Sequence, residues 1–404
     1  MLFLSRLDVL IVCTGLREAD PSYRRLSYFA KYLKLKGLRV ACAGFLQLSG
    51  RGLVEVSSEC YKLPFRVLTQ SSVLNLLFNA LSTVAILFSL VLTILVLKPR
   101  VVIVSTPSSH PVLPAYLGCA LSRSKLIIDV RDPHEELLVY KARRGVLRLL
   151  AEIYRRVNYS VYRRASGVLA VTRSLATLLA SRTGRRVYIA PNGADLEVFK
   201  PVDKKTAREK FKLPPEALLV AYSGVLSSRG YYDIVPVLEA IRRLRRRGVD
   251  VRVLATGPIR DERVKEVFRV FRDEITHLGV LPLGDYIAAM SACDVGVVPR
   301  VGDHVYDYSI PVKLYEYVAL GLPVVVTANK SSELARLVEE NSLGFVCEPG
   351  DALCLERVIG ELASNRSLLS KLRENALSYR ARVDRRIGAE KLCELVVSSL
   401  RDSR

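Results

Sequence analysis

Short apolar runs alternate with stretches of helical periodicity through the first half of the chain. Between the first two runs, Tyr23–Gly37 places Leu26, Phe29 and Leu33 at helical spacing and ends on a glycine, as helices commonly do. Such alternation predicts a parallel sheet with helices on both faces. The runs interpreted as strands are Val9–Val12, Leu38–Cys42, Val101–Val104, Leu126–Asp129, Ala165–Val171 and Val187–Ile189.

The alternation starts again after Pro201, with strands predicted at Leu218–Ser223, Val251–Ala255, Val295–Val298 and Val324–Thr327. We therefore predict an α/β protein of two doubly wound, Rossmann-like domains that face each other across a cleft. The domains cover residues 1–195 and 196–380, and a C-terminal helix over 381–404 packs back on the first. Ligands of such sheets bind beyond the carboxyl ends of the strands.

A hydrophobic segment without charged residues precedes the third predicted strand. Val73–Leu97 predicts a helix of about 37 Å, which is long enough to cross a bilayer. However, its flanking strands belong to one predicted sheet, and a single crossing would put them on opposite sides of the membrane. We therefore favour a helix that packs on the sheet and dips into one leaflet, and a single transmembrane span is the less favoured alternative. The Arg- and Tyr-rich segment Tyr154–Arg164 would suit an anionic surface. A polar stripe supports the same choice and consists of Asn75, Asn79, Ser82, Ser89 and Thr93.

The amino-acid composition limits which binding partners and which cellular compartment we expect for the protein. Lysine and arginine outnumber aspartate and glutamate by 61 to 40, and the net charge of +21 favours anions such as nucleotides or acidic lipid headgroups. The basic residues are spread along the chain, so no nucleic-acid partner is expected. The eight cysteines form no CxxC pair, which predicts free thiols in the cytoplasm, and four isolated histidines predict no metal site. High arginine, two methionines and no tryptophan suggest a thermophilic source.

The window Tyr308–Thr327 carries the clearest candidate chemistry. It reads as a loop, a helix, a glycine turn and a buried strand, and it places Lys313 and Glu316 on one face of the helix. Helix N-termini attract phosphates, and a carboxylate one turn further along can accept hydrogen bonds from sugar hydroxyls. These residues indicate a nucleotide-sugar site, whereas an ordinary solvated helix would show the same Lys–Glu pair.

Five motifs follow one another along the chain: Pro191–Asp195 with Phe199, Tyr222–Gly230, Leu254–Pro258 with Leu278–Val280, Ala292–Pro299, and Lys313–Val326. They resemble the motifs of family 4 glycosyltransferases, which have the GT-B fold. The first is similar to the family's "PNG-D-F" linker, and the second to the first strand and phosphate loop of its C-terminal domain. The resemblance runs from about Val9 to Tyr379.

The resemblance implies a retaining, metal-independent transfer of a sugar from a nucleoside diphosphate sugar to a saccharide or lipid-linked acceptor. The donor is a substrate, so no cofactor is expected. In the family's E-x7-E signature the second glutamate falls on Glu316, which implies contact with ribose hydroxyls, and the first falls on Tyr308. Arg229 stands where a lysine is common, and Val225 replaces the usual arginine.

The site residues follow from these matches. Arg229 and Lys313 are predicted to neutralise the leaving diphosphate, and Asp132 is predicted to position the acceptor. We place the protein in the cytoplasm, peripheral on the inner face of the membrane. The residues predicted to bind substrate are Gly15, Gly224, Gly257, Gly279, Val280, Ser309, Ile310 and Pro311.

Two alternatives remain open at this point. A nucleotide-sugar epimerase would share the fold, but such enzymes usually need a histidine in the cleft and this chain has four in all. A non-catalytic, membrane-associated subunit that binds a nucleotide sugar would explain why Tyr308 and Val225 replace polar residues. Donor hydrolysis in the absence of acceptor would separate an enzyme from such a subunit.

Overall fold

The computed structural model describes residues 7–13, 21–49, 52–53, 60–68, 72–106, 111–142, 144–228 and 230–401. The chain divides into two compact units, residues 1–191 with 385–404, and residues 192–384. Gly15 and Arg229, both predicted site residues, lie outside the described residues.

The first unit is built on an eight-stranded sheet in the order β3-β2-β1-β5-β6-β7-β8, with β4 also paired to β2. Every pairing is parallel except β2 with β3. The strands are β1 (Val9–Cys13), β2 (Val40–Ser49), β3 (Gly52–Leu53), β4 (Cys60–Leu68), β5 (Val101–Thr106), β6 (Lys125–Val130), β7 (Gly167–Ala170) and β8 (Tyr188–Ile189). The helices are α1 (Pro21–Leu35), α2 (Ser72–Leu97), α3 (Val112–Ser122), α4 (His134–Lys141), α5 (Gly145–Arg164), α6 (Arg173–Thr183) and α15 (Arg385–Arg401).

The register of the first sheet confirms that the strands before and after the hydrophobic segment belong to one sheet. Val9 of β1 lies opposite Val40 of β2 on one side and Val101 of β5 on the other. Strand β1 is wholly buried, as a contiguous apolar run in a parallel sheet should be. Helix α15 packs with α1 on this sheet, and Leu395 of α15 lies so close to Gly167 that a Cβ there would come within 2.7 Å of it.

The hydrophobic segment is a single helix, as predicted. Across the described part of the chain, no helix is both long and apolar enough to cross a bilayer. The side chains of Asn75, Asn79 and Ser82 lie outside the described residues. The rest of the polar stripe lies on the flank of α2, where Ser89 and Thr93 donate their hydroxyls to backbone carbonyls of their own helix.

The second unit contains a six-stranded, all-parallel sheet in the order β11-β10-β9-β12-β13-β14. Its strands are β9 (Leu218–Ser223), β10 (Val251–Thr256), β11 (Ile275–His277), β12 (Val295–Pro299), β13 (Val324–Thr327) and β14 (Gly344–Cys347). Its helices are α7 (Lys204–Lys210), α8 (Val235–Arg246), α9 (Glu262–Val270), α10 (Leu283–Ser291), α11 (Val312–Ala319), α12 (Glu333–Glu340), α13 (Ala352–Ser364) and α14 (Arg366–Tyr379).

Local sequence explains several helix starts in this unit. The side chains of Asp203, Asp261 and Ser332 accept hydrogen bonds from backbone N–H groups in the first turns of α7, α9 and α12. Such caps satisfy donors that would otherwise lack intrahelical partners. Apolar cores cover both faces of the sheet, so the second unit is doubly wound, as predicted.

One prediction about the cysteines is wrong. Cys347 and Cys354 form a disulfide, although all eight cysteines were predicted to be free. Cys347 ends β14 and Cys354 lies in the first turns of α13, so the tight connection brings their Cα atoms to 5.8 Å. The cysteines described as free are Cys13, Cys42, Cys119, Cys293 and Cys393.

Candidate functional site

Lys313 is buried near the start of α11, over two tyrosine rings. Its Nζ lies 4.2 Å from the ring centroid of Tyr222 and 3.7 Å from that of Tyr232. Tyr222 belongs to β9 and Tyr232 precedes α8, so the connection between them passes the ammonium group. No described residue accepts a hydrogen bond from Nζ, and the side chain is only 8% exposed. The ring faces attract the charge but provide no counter-ion.

A second buried cation, Arg300, lies near the ring of Tyr232 as well. It follows the carboxyl end of β12, and its Cζ is 5.9 Å from the Tyr232 centroid and 5.7 Å from that of Tyr306. Nη2 donates to the carbonyl oxygen and the hydroxyl of Ser309, at 2.9 and 3.0 Å. Nε and Nη1 find no partner in the described part of the chain. Buried donors without partners cost free energy, so the two cations together indicate a site for an anion.

The protonation of Lys313 is unusual. Burial removes the hydration of the ammonium group and lowers the pKa of Lys313 to about 7, from an ordinary 10.5. Within this shift the positive charge of Arg300 acts in the same direction as burial, whereas the carboxylate of Glu316 acts in the opposite direction. Lys313 therefore titrates near neutral pH, and an anion bound beside it would favour its charged form.

Three glycines predicted to bind substrate follow neighbouring strands of the second sheet. Gly224 donates its N–H to the carbonyl of Thr256 over 3.0 Å, and Gly257 donates to that of Gly279 over 2.7 Å. A Cβ at Gly224 would lie 3.2 Å from Nζ of Lys313, so this glycine borders the buried ammonium group. The structure thus brings Lys313, Gly224, Gly257 and Gly279 together at the carboxyl ends of β9, β10 and β11.

Gly257 provides a direct stability test of this arrangement. Its φ is +119°, and a Cβ there would fall 2.0 Å from the carbonyl oxygen of Gly224. We expect Gly257→Ala to lower the free energy of unfolding by about 3 kcal/mol, from backbone strain together with the clash. Gly248→Ala is the matched control, because its φ is +83° but its Cβ would meet nothing within 4 Å. Equal losses for the two variants in urea titrations would contradict the close contact.

Glu316 is buried one turn after Lys313 and is held by a tyrosine. The hydroxyl of Tyr286 donates to Glu316 Oε2 over 2.7 Å and lies 3.1 Å from the hydroxyl of Ser223. Burial raises the pKa of Tyr286 well above its ordinary value, and the neighbouring carboxylate raises it further. The hydroxyl therefore keeps its proton, and this donor fixes the position of the Glu316 carboxylate.

The remaining predicted substrate residues are divided between the interior and the surface. Ser309, Ile310 and Pro311 are buried and connect a short 3-10 turn at 304–308 to α11. Val280, after Gly279, is 61% exposed. Val225, where the family usually has an arginine, is 46% exposed and follows Gly224.

Tyr308 ends the 3-10 turn, and its acidic neighbour is already engaged. Asp307 accepts hydrogen bonds from the Nδ2 of Asn329 at 3.0 and 3.1 Å, and lies 3.1 Å from the Nδ1 of His304. These partners hold the Asp307 carboxylate at the turn. Asp307 therefore stabilises the turn. It lies one position before Tyr308, which occupies the place of the first signature glutamate.

Asp132 belongs to the first unit, in the connection between β6 and α4. Its carbonyl accepts the N–H of His134 over 2.8 Å, and the N-cap residue of α4 is Pro133. The preceding residue, Arg131, donates Nε to the hydroxyl of Ser105 at 2.9 Å. The structure places Asp132 just beyond the carboxyl end of β6, two residues after Val130.

A buried ion pair lies below Asp132 in the same sheet. Arg25 donates two hydrogen bonds to Asp129, at 2.8 and 3.1 Å, and further bonds to the carbonyls of Ala190 and Pro191. Burial tends to raise the pKa of Asp129, but Arg25 outweighs it and the pKa is lowered. This pair joins α1, β6 and the segment after β8, so it is structural and orders the carboxyl edge of the first sheet.

Sequence reasoning missed Arg300, Tyr232 and Tyr286. A basic residue directly after the predicted strand Val295–Val298 and Pro299 was an available signal for Arg300, because ligands bind at strand ends. The tyrosines carried no such signal, since their role depends on which loop passes over α11. Among the described residues, no three His, Cys, Asp or Glu side chains cluster as a metal site would require.

Two models of glycosyltransferase families match most of the chain. A model described as Glycosyltransferase Family 4 matches residues 24–198, and one described as Glycosyl transferases group 1 matches residues 218–365. The chain belongs to the family 4, group 1 glycosyltransferases. The second matched range contains Arg300, Lys313 and Glu316.

Individual relatives of this glycosyltransferase have low sequence identity to it, but the matches cover most of both chains. The "Probable glycosyltransferase WbjE" of Pseudomonas aeruginosa is 26% identical over 324 residues, 76% of each chain. Among solved structures, Anabaena Alr3699/HepE in complex with UDP is 16% identical, has a TM-score of 0.67 and covers 97% of this chain and 100% of its own. WaaG, "a glycosyltransferase involved in lipopolysaccharide biosynthesis", is 15% identical, has a TM-score of 0.70 and covers 96% and 99%. These likenesses establish the GT-B fold.

Proposed function

We propose that this glycosyltransferase transfers a sugar from a nucleoside diphosphate sugar, with retention and without a metal ion. The observation that carries the proposal is the pair of buried cations, Arg300 and Lys313, over one tyrosine ring and without a hydrogen-bonded anion among the described residues. A group with at least two negative charges suits two such cations. HepE, of the same fold, was solved with UDP and with UDP-glucose, which supports a diphosphate donor.

The proposed catalysis of sugar transfer depends on where negative charge develops during the reaction. When the bond to the sugar breaks, negative charge grows on the diphosphate, and fixed positive groups around it lower the barrier. Arg300, Lys313 and the first N–H groups of α11 supply these charges in a site with little water. Arg229 is proposed to help neutralise the diphosphate. Because these groups are cationic, no metal is needed to neutralise the leaving diphosphate, and we expect activity to survive a chelator.

The nucleoside end of the donor is assigned to Glu316. Its carboxylate is buried at the same helix face as Lys313 and is fixed by Tyr286, so it can accept hydrogen bonds from ribose hydroxyls. We expect a nucleoside diphosphate to stabilise the parent by about 2.7 kcal/mol at 100 times its Kd. Glu316→Gln should lose most of this stabilisation in thermal-shift measurements, and Tyr286→Phe should lose part of it.

A matched control tests whether the effect belongs to the site. Glu333→Gln replaces a glutamate in the first turn of another helix of the same unit, α12, and should leave the nucleotide-induced shift unchanged. An equal shift in Glu316→Gln and in the parent would contradict the ribose assignment. Loss of the shift in Glu333→Gln as well would indicate a general change of the unit.

Transfer itself is tested by donor turnover. We expect slow release of nucleoside diphosphate from the matching nucleotide sugar without acceptor, and faster release when an acceptor is added. Retention would appear in the product as the anomeric configuration of the donor. A folded sample that binds a nucleotide but never releases diphosphate, with any acceptor, would favour a non-catalytic subunit.

The acceptor is proposed to be a saccharide or a lipid-linked precursor, reached at the membrane surface. WaaG acts in lipopolysaccharide biosynthesis by its own description, which supports an acceptor of this kind. Asp132, at the carboxyl end of β6 in the first unit, is proposed to position the acceptor. The protein is proposed to be cytoplasmic and peripheral on the inner face of the membrane.

A further inference from the structure

Helix α2 turns an apolar face outward. Over its described side chains, Ile86, Leu90 and Ile94 are fully buried. Two residues away from each of these, on the opposite side of the helix, the side chains are large, apolar and 51% to 70% exposed. These outward residues are Val84, Phe88, Leu92 and Val96. The helix is therefore apolar on both sides, which soluble surface helices are not.

The neighbouring helix α3 continues this face. It packs against α2 so closely that a Cβ on Gly118 would come within 2.9 Å of Ile94. Its outward residues recur every four positions, as on α2, and are Leu113, Leu117 and Leu121, which are 37% to 67% exposed. Helix α3 carries no charged residue, so its exposed stripe is wholly apolar.

Helix α5 also packs against α3 and extends the surface. Its first turns expose five large apolar side chains, 48% to 72% exposed: Val146, Leu147, Leu149, Leu150 and Ile153. The outward apolar residues of α2, α3 and α5 are together called the apolar face. Its extent over three adjacent helices exceeds the scattered apolar residues that ordinary surfaces show.

The charges around the apolar face are basic. Exposed cations lie where its helices end or begin, at Lys98 after α2, Arg123 after α3, and Lys141 and Arg144 before α5. The sequences of α2, α3 and α5 contain one acidic residue, Glu152, which pairs with Arg148 and Arg155. A basic rim around an apolar centre complements an anionic lipid surface.

The segment predicted to meet an anionic surface is a different part of α5. In the C-terminal half of this helix, Tyr159 and Tyr162 are buried and donate hydrogen bonds to Glu136 and Glu135, at 2.9 and 2.5 Å. These tyrosines fix α5 against α4, and therefore fix the direction in which the first turns of α5 point. The exposed apolar residues lie in those first turns.

We propose that the apolar face docks on the surface of an anionic bilayer, with α2, α3 and the start of α5 in contact with the lipid. This deepens the proposed function, because it rests on a lipid-linked acceptor being reached at the membrane, and it names the partner surface. Apolar side chains enter the boundary between headgroups and acyl chains, and the basic rim meets the headgroup phosphates.

Vesicle co-sedimentation of the full chain tests the proposal. We expect binding to vesicles of equal parts phosphatidylcholine and phosphatidylglycerol, and much weaker binding to phosphatidylcholine alone. The double variants Phe88→Gln with Leu92→Gln, and Leu147→Gln with Leu150→Gln, should each lower the partition coefficient about tenfold. The matched control is Val270→Gln with Leu353→Gln, which are 52% and 64% exposed in the second unit and should bind as the parent does.

Three results would overturn the docking surface. The parent could fail to bind anionic vesicles at low salt, or the face variants could bind as tightly as the control. Alternatively, sedimentation velocity could show a parent dimer that the face variants dissociate, in which case a second copy covers the face. Nucleotide-induced thermal shifts in the same variants are expected to be unchanged, which shows that they are folded and separates this test from that of the donor site.

Discussion

Replacing Lys313 with methionine is expected to abolish detectable nucleoside diphosphate binding and to slow sugar transfer at least about a hundredfold. The estimate follows from the loss of one positioned charge at the leaving group, which typically costs 10²–10³ in rate. Methionine has a similar length and is apolar, so it fits between the rings of Tyr222 and Tyr232. The measurement is steady-state turnover of the donor, with binding followed by calorimetry.

The same substitution should stabilise the protein when no nucleotide is present. The pKa of Lys313 is about 7 in the folded protein and 10.5 in its ordinary state, so between these values the unfolded chain binds more protons than the folded one. The free energy of unfolding should therefore rise with pH from about 7 to about 10.5 in the parent. In the methionine variant this rise disappears, and the variant is the more stable of the two below pH 7.

The Lys313 prediction is specific because the substitution should weaken nucleotide binding and at the same time raise the free energy of unfolding. A residue that only supports the fold would lose stability and activity together when replaced. If Lys313→Met lowered the free energy of unfolding at pH 6, or kept the affinity of the parent for nucleotides, the buried ammonium group would not be an anion site. Urea titrations at pH 6 and pH 9 decide the first point.

Arg300→Met is the second substitution with a large expected effect. It removes the other buried cation, and we expect turnover to fall about a hundredfold. Because the two cations together suit two charges, the preference for nucleoside diphosphate over monophosphate should fall about tenfold, which corresponds to about 1.4 kcal/mol. Affinities for the two nucleotides, measured on the same preparation, give this ratio.

Two companion variants separate the charge of Arg300 from its structural contacts. Ser309→Ala removes one hydrogen bond from Arg300 Nη2 but keeps the cation, so it should keep the preference for diphosphate. Arg300→Lys keeps the charge without the guanidinium geometry and should recover part of the preference. If Ser309→Ala lost the preference as fully as Arg300→Met, the effect would come from the loop that Ser309 belongs to.

Much of the fold was predictable because buried parallel strands are contiguous apolar runs. Val9–Cys13, Val101–Thr106 and Val324–Thr327 are such runs, and each is a strand in the sheet expected for it. Cys60–Leu68 was not predicted, because Lys62, Pro64 and Arg66 interrupt its apolar pattern. It forms a strand through its pairing with β2, which a single segment of sequence does not reveal.

The part of the candidate site that comes from one continuous segment of sequence was predictable. Lys313 and Glu316 share a helix, so their proximity follows from helical geometry alone. Arg300 and Tyr232 join them only through the order of β9 and β12 in the sheet, and sequence spacing does not give that order. The same limit applies to α2, where the polar stripe was visible but the outward face depends on where α3 packs.

The most direct test of the account is a calorimetric titration of the parent and of Lys313→Met with UDP, GDP, ADP and dTDP. It is made at about pH 8, above the second ionisation of a phosphate near 6, in two buffers with different ionisation enthalpies. One nucleotide should bind the parent with uptake of nearly one proton, because the anion restores the charge of a lysine whose pKa is about 7. The variant should show neither binding nor proton uptake. Binding of equal strength in both proteins, or no binding to a folded parent, would contradict the assignment of the donor site.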